Sequence, residues 1–168
     1  MALFGNIQTF PKEIKGLILL YLIVTSIGFL SALQFVNTTT AGGSPKGIEE
    51  NYLGNEDDLE AEELKFAKSE KQILNIVHAH MLSMGMLFFI LAFLVATTPV
   101  KNPIRKVLLY EPLISVLLTF GGIYFLWRGM LWMKYVILVS GIAMTISYIV
   151  SVGILIYWLF KRKTITIS

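Results

Sequence analysis

Four long uncharged runs dominate the chain, at Gly16–Val36, Ile73–Thr97, Leu113–Leu126 and Tyr135–Phe160. Each approaches the ~20 residues needed to cross hydrocarbon as a helix rising ~1.5 Å per residue. The third run is the shortest, and Leu108, Leu109 and Trp127 extend it. The pattern predicts an all-α membrane protein, an antiparallel bundle of four transmembrane helices over residues 16–36, 73–97, 109–127 and 135–160. A partly helical outer loop, residues 37–72, joins the first two.

Within the spans, small and polar residues recur at helical spacing. The seams are Tyr21, Thr25, Gly28 and Ala32 in the first span, Ser115, Thr119 and Gly122 in the third, and Ser140, Met144, Ser147 and Ser151 in the fourth. Lipid tails are as apolar as leucine, so membrane helices associate by close backbone approach and modest hydrogen bonds along such seams. A compact bundle needs nothing more from them.

The second span differs. Gln72, Asn75, His78, Ala79, His80, Ser83, Met86 and Thr97 fall in an arc of roughly 200° at ~100° per residue, with the histidines at its edges. The opposite arc carries Leu74, Val77, Met81, Met84, Phe88, Leu91 and Val95, which reads as a lipid or subunit face. On this reading both histidines border the bundle interior, about two turns below the outer surface.

A histidine inside a bilayer is costly and marks a functional site by default. Its bland alternative is a neutral imidazole hydrogen-bonded to a neighbouring Ser, Tyr or carbonyl. A b-type haem needs an axial imidazole, and four-helix bundles hold cofactors between facing helices. The only two histidines sit two residues apart on one helix, about 160° apart around it, and cannot clamp one iron from opposite sides. Haem would need His–Met ligation, a five-coordinate iron or a histidine from another subunit. Met130 and Met133 offer thioethers near the outer ends of the third and fourth spans, and Arg128 and Lys134 offer cations for propionates. Trp127 and Trp132 flank the same region and also suit an interfacial aromatic belt. The same histidines with Met81, Met84, Met86, Met130 and Met133 would suit copper(I) instead.

Charge sets the expected orientation. Lys12, Lys15, Lys101, Arg105, Lys106, Lys161, Arg162 and Lys163 lie on the side of the termini. Lys46, Lys65, Lys68, Lys71, Arg128 and Lys134 lie on the other side. The denser clusters in short segments place both termini in the cytoplasm. The net charge of +3 therefore reflects headgroup anchoring and not nucleic-acid binding. The absence of cysteine excludes disulfides, iron–sulfur clusters and thiolate zinc sites. The first apolar run exceeds a signal-peptide core and follows a polar, Pro-containing stretch, so no cleaved leader is expected.

In the outer loop, residues 37–55 read as turns, with Gly-Gly-Ser-Pro at their centre. Glu56–Lys68 reads as an acidic-to-basic helix, either a solvated lid or a docking surface for a basic partner such as a soluble cytochrome. Ser69 and Gln72 fit a capping box opening the second span. Glu111 stands just before Pro112, which suits the first turn of the third span in the headgroup layer. No nucleophile, base and orienting acid can be assembled for hydrolysis, and no inverted repeat suggests a transporter.

Lys68-Ser69-Glu70-Lys71-Gln72-Ile73-Leu74-Asn75-Ile76-Val77-His78-Ala79-His80, within this topology, resembles small bacterial four-helix membrane proteins of the b-type cytochrome kind. It resembles equally the accessory subunits that sit beside them in respiratory complexes. The resemblance implies a non-catalytic subunit of a bacterial inner membrane. It would pass electrons near the outer face to a soluble cytochrome or quinone, with His78 or His80 as haem ligand. Homo-oligomers or other membrane subunits are the expected partners, and a cofactor-free accessory role is the alternative.

Overall fold

The computed structural model describes residues 5–58, 61 and 63–161. Its helices are α1 (Lys12–Thr39), α2 (Pro45–Leu53), α3 (Glu70–Ala96), α4 (Asn102–Trp127) and α5 (Met133–Phe160), after a 3-10 turn at Ile7–Thr9. Four of them, α1, α3, α4 and α5, are long and apolar enough to span a membrane, and they coincide with the four apolar runs. At ~1.5 Å per residue each is about 40 Å long, enough for a ~30 Å hydrocarbon core with a turn to spare at each end. No strand occurs among the described residues. The fold is the expected all-helical transmembrane one.

The α4–α5 seam is the tightest contact. Ser115, Thr119 and Gly122 on α4 and Ser140, Met144, Ser147 and Ser151 on α5 are all buried. Thr119 Oγ1 and Ser140 Oγ share a hydrogen bond of 2.7 Å. A Cβ on Gly122 would stand 3.0 Å from Ile137 Cγ1, so glycine there lets the helices close. Helix α3 lies against both, filling the space between them with Phe88, Leu91 and Val95.

Helix α1 is the peripheral member. Of its seam, Tyr21 and Thr25 face neighbouring helices, the Thr25 hydroxyl accepting from the Tyr148 hydroxyl at 3.3 Å, whereas Gly28 and Ala32 are exposed and large side chains make the rest of the contact. Phe29 stacks on Tyr148 at 4.0 Å and meets Phe88 edge-on at 6.4 Å. The Tyr148 hydroxyl is hydrogen-bonded to Ser26 Oγ at 3.1 Å, and the Tyr21 hydroxyl donates to the Leu87 carbonyl at 3.1 Å. These aromatic wedges hold the backbones too far apart for Gly28 and Ala32 to touch a neighbour.

Two expectations about the ends are corrected. Helix α4 starts at Asn102 with Pro103 in its first turn, and Pro112 lies inside the helix. Proline needs no donor in a first turn, so the Asn-Pro pair opens the helix earlier than hydropathy suggested. Glu111 is therefore ten residues in, about 14 Å along the axis, and not in a first turn.

In the segment joining α1 and α3, the described helix lies at Pro45–Leu53, where turns were expected, and Glu56–Lys68 is turn and irregular chain over its described residues. Residues 59, 60 and 62 of that stretch lie outside the described residues. Gly42 and Gly43, at φ of 73° and 75°, make the turn after α1. Ser44 then caps α2 by accepting from the Gly47 N–H, and Pro45 begins it. The stretch after α2 is held by side-chain capture of its backbone. Asn55 Oδ1 accepts from the Lys65 N–H at 2.6 Å, and Glu56 Oε1 accepts from the Ala67 N–H at 3.1 Å. The capping box of Ser69 and Gln72 is present as read.

This segment is clamped onto the end of the bundle where α4 turns into α5. Lys134 pairs with Glu49 at 2.5 Å, and Trp127 Nε1 donates to the Lys68 carbonyl at 2.9 Å. Burial pushes the Tyr52 hydroxyl up to about 12, and burial beside Lys65 holds the Lys68 ammonium below its usual range.

Candidate functional site

Helix α3 is turned the opposite way from the polar-inside reading. Ile73, Phe88, Leu91 and Val95 are buried and Val77, Met81 and Met84 are half-buried, so the apolar stripe forms the core. Gln72, Asn75, His78, Ala79, His80, Ser83 and Met86 are all exposed, and of the polar arc only Thr97, at the C-cap, is buried. Of the stripe read as a lipid face, only Leu74 remains exposed. Hydrophobicity does not orient a helix in a medium as apolar as its own side chains; shape does. Phe88 packs edge-on against the Phe29–Tyr148 stack, and Met81 reaches 3.7 Å from the Cβ position of Gly121. His78 does not border the interior of this chain, whereas His80, although exposed, borders it through the buried ring of Phe120.

His80 lies on the α4 side of α3, its ring stacked on Phe120 at 4.7 Å. Its Nδ1 is 2.8 Å from the Ile76 carbonyl, which makes Nδ1 the donor, and Nε2 makes no hydrogen bond among the described residues. His78 and Asn75 make no side-chain hydrogen bond among the described residues. Ser83 satisfies itself by donating to the Ala79 carbonyl at 2.7 Å.

The other candidate residues sit apart from the histidines. Met130 is exposed in the α4–α5 turn, and Met133 is half-buried against the core at the start of α5. Phe120, the level of His80, lies seven residues before the end of α4, so this turn is about 10 Å further along the axis. Lys134 is engaged by Glu49, and Arg128 is exposed. No group of three or more His, Cys, Asp or Glu side chains able to hold a metal occurs among the described residues. Any multi-ligand centre on His78 or His80 needs groups from outside that set.

A second polar cluster escaped the sequence reading. Glu111 Oε1 accepts from Ser115 Oγ at 2.5 Å, and Oε2 accepts from Ser147 Oγ across the α4–α5 seam. The signals were present, because Glu111 and Ser115 are four apart and both serines belong to recognised seams. The misplaced start of α4 hid them.

Comparison with known proteins fits this architecture. A family model, Aq_1264_TM, a transmembrane helical domain, matches residues 42–166. The chain belongs to this family. The match takes in α2 through α5, the three closely packed spans and the helix that caps them, while α1 precedes it. No curated protein and no solved structure matches the chain.

Proposed function

We propose that the chain is a non-catalytic subunit of an assembly in a bacterial inner membrane, with both termini cytoplasmic, in which the outward face of α3 meets α3 of a second copy. The observation that carries the reading is the exposure of Asn75 and His78 on a membrane span with no side-chain partner among the described residues. His78 lies about 12 Å along α3, past the ~5 Å of helix left over at each end of a ~30 Å core. Unsatisfied polar groups at that depth cost free energy in lipid and are normally turned toward protein. Amide and imidazole each donate and accept, so the face can complement itself about a two-fold axis. Sedimentation of the full chain in nanodiscs tests this. The account expects a dimer or larger closed oligomer that dissociates in Asn75→Leu/His78→Leu; a wild-type monomer, or an oligomer indifferent to that change, would refute it.

His80 favours a second reading, electron transfer through a b-type haem held between subunits. A ring whose Nδ1–H is fixed by a carbonyl presents Nε2 in the orientation that metal-ligating histidines use. A partner copy would supply the opposing ligand that one helix cannot, with a soluble cytochrome or quinone as electron partner. A reduced-minus-oxidised spectrum after haem loading should show Soret and α bands lost in His80→Ala. Their absence, or their persistence in His80→Ala, removes this reading and leaves the assembly role standing without a cofactor. Copper on the histidines and methionines has less support, because Met81 and Met84 are turned into the core.

A further inference from the structure

The chain leading into α3 carries two cations that the fold leaves without an acid. Lys46 pairs with Glu50 and Asp58, and Lys134 pairs with Glu49, but neither Lys65 nor Lys68 has an acidic partner among the described residues. Lys65 Nζ donates to the Thr39 carbonyl at 3.1 Å. Lys68 Nζ donates to Asn51 Oδ1 at 3.4 Å and lies 5.7 Å over the Tyr52 ring. An ammonium has three donors, so each has donors to spare. The two charges are close enough to repel, since Lys65 adds to the burial that holds Lys68 below its usual range. Both line one cleft of about 420 Å³, together with Thr38, Thr39, Asn51, Glu63 and Phe66.

We propose that Lys65 and Lys68 bind the phosphodiester of an anionic glycerophospholipid, whose acyl chains descend past Phe66 and along the Phe35 face of α1. Depth favours this anion. Thr38 and Thr39 end α1, whose ~40 Å length carries it ~5 Å beyond each side of a ~30 Å core, into the headgroup layer. The cleft therefore lies at the level of lipid phosphates. Apolar surface continues from it toward hydrocarbon. Phe66 in the cleft is 70% exposed, and Phe35, one turn below Thr39 on the same face of α1, is 67% exposed. A free phosphate ion would satisfy the lysines and leave both rings uncovered. Charge sets the stoichiometry: two ammoniums and the Glu63 carboxylate leave one net positive charge, which one phosphodiester balances. The threonine hydroxyls and the Asn51 amide suit the hydroxyls of a glycerol headgroup. The site is independent of the outward face of α3.

The test is native mass spectrometry of the delipidated full chain in detergent, titrated with dioleoylphosphatidylglycerol. The expected result is saturable retention of one lipid per chain. Lys65→Gln/Lys68→Gln should weaken retention roughly 25-fold, about fivefold for each lysine. Lys71→Gln, an exposed lysine outside the cleft, should leave it unchanged. Dioleoylglycerol, which has the same chains without the phosphate, should not be retained, and inorganic phosphate at equal concentration should not displace the lipid. No saturable retention, or equal retention by Lys65→Gln/Lys68→Gln, overturns the proposal. Equal retention of dioleoylglycerol reduces the cleft to an acyl-chain surface, and displacement by inorganic phosphate reduces it to a free-anion site; either result overturns the lipid assignment. If the double variant fails to fold, the comparison with dioleoylglycerol on the wild type decides by itself.

Discussion

Two adjacent phenylalanines on α3 separate the observed orientation of that helix from its reverse. Phe88 is 1% exposed, packed edge-on against Phe29 and Tyr148, whereas Phe89 is 59% exposed. In a soluble core, Phe→Ala costs ~3–5 kcal/mol, made of a transfer part and a cavity part. Here unfolding leaves α3 in the bilayer, so Phe88 exchanges protein neighbours for lipid and the transfer part vanishes. Subtracting the ~1.5–3 kcal/mol of transfer for a buried aromatic leaves about 2 kcal/mol of lost packing. With the chain kept monomeric by dilution in excess lipid, Phe89→Ala creates no cavity and should cost less than ~0.5 kcal/mol. Steric trapping in bicelles measures both against the wild type. Equal losses, or a larger loss for Phe89→Ala, would refute the orientation and with it the exposure of His78.

Other consequences follow from the cap and the seam. A Cβ at Gly47 would lie 2.0 Å from the Thr40 carbonyl oxygen, so Gly47→Val should push α2 off the end of α1, at the ~1–3 kcal/mol typical of overpacking, and speed proteolysis after Lys46. Tyr52 stays neutral in the fold up to about pH 12 against an ordinary value of 10.0. Because the folded value is the higher one, its contribution is complete below pH 10 and disappears as pH rises toward 12, by on the order of 2–3 kcal/mol. A tyrosinate absorbance titration compared with Tyr52→Phe should show one late-titrating group missing from the variant. Thr119→Ala removes the buried hydrogen bond to Ser140 and should cost ~0.6 kcal/mol, with ~1.7 as a ceiling for interhelical bonds in membranes, read by the same trapping assay.

The four spans were legible because hydrocarbon thickness imposes a length that few other structures share. The α4–α5 seam was legible for a related reason: Gly122, Ser140 and Ser147 are small enough to repay close approach. The rotation of α3 was not. Its polar arc suggested an interior, but Phe88, packed edge-on against Phe29 and Tyr148, and Leu91 fill the core instead. The register of α4 was hidden because Asn102 to Lys106 carry too much charge to count as span, although they are helix. In the loop, helix-forming composition from Glu56 onward lost to Asn55 and Glu56 side chains that bind the returning backbone. The cap-and-proline pair Ser44-Pro45 was a start signal overlooked beside two glycines. Glu111 was seen as an isolated acid, since its partner Ser147 is distant in sequence and becomes adjacent only once the antiparallel register is known.

The chain has no cysteine, so single-cysteine variants report contacts without a background. The most direct test of the central claim is oxidative cross-linking of Asn75→Cys in native membranes, with the exposed position Leu117→Cys on α4 as control. If the outward face of α3 meets its own copy, Asn75→Cys gives a disulfide-linked dimer and Leu117→Cys gives little. Equal cross-linking at the two positions, or none at Asn75→Cys, would contradict the account.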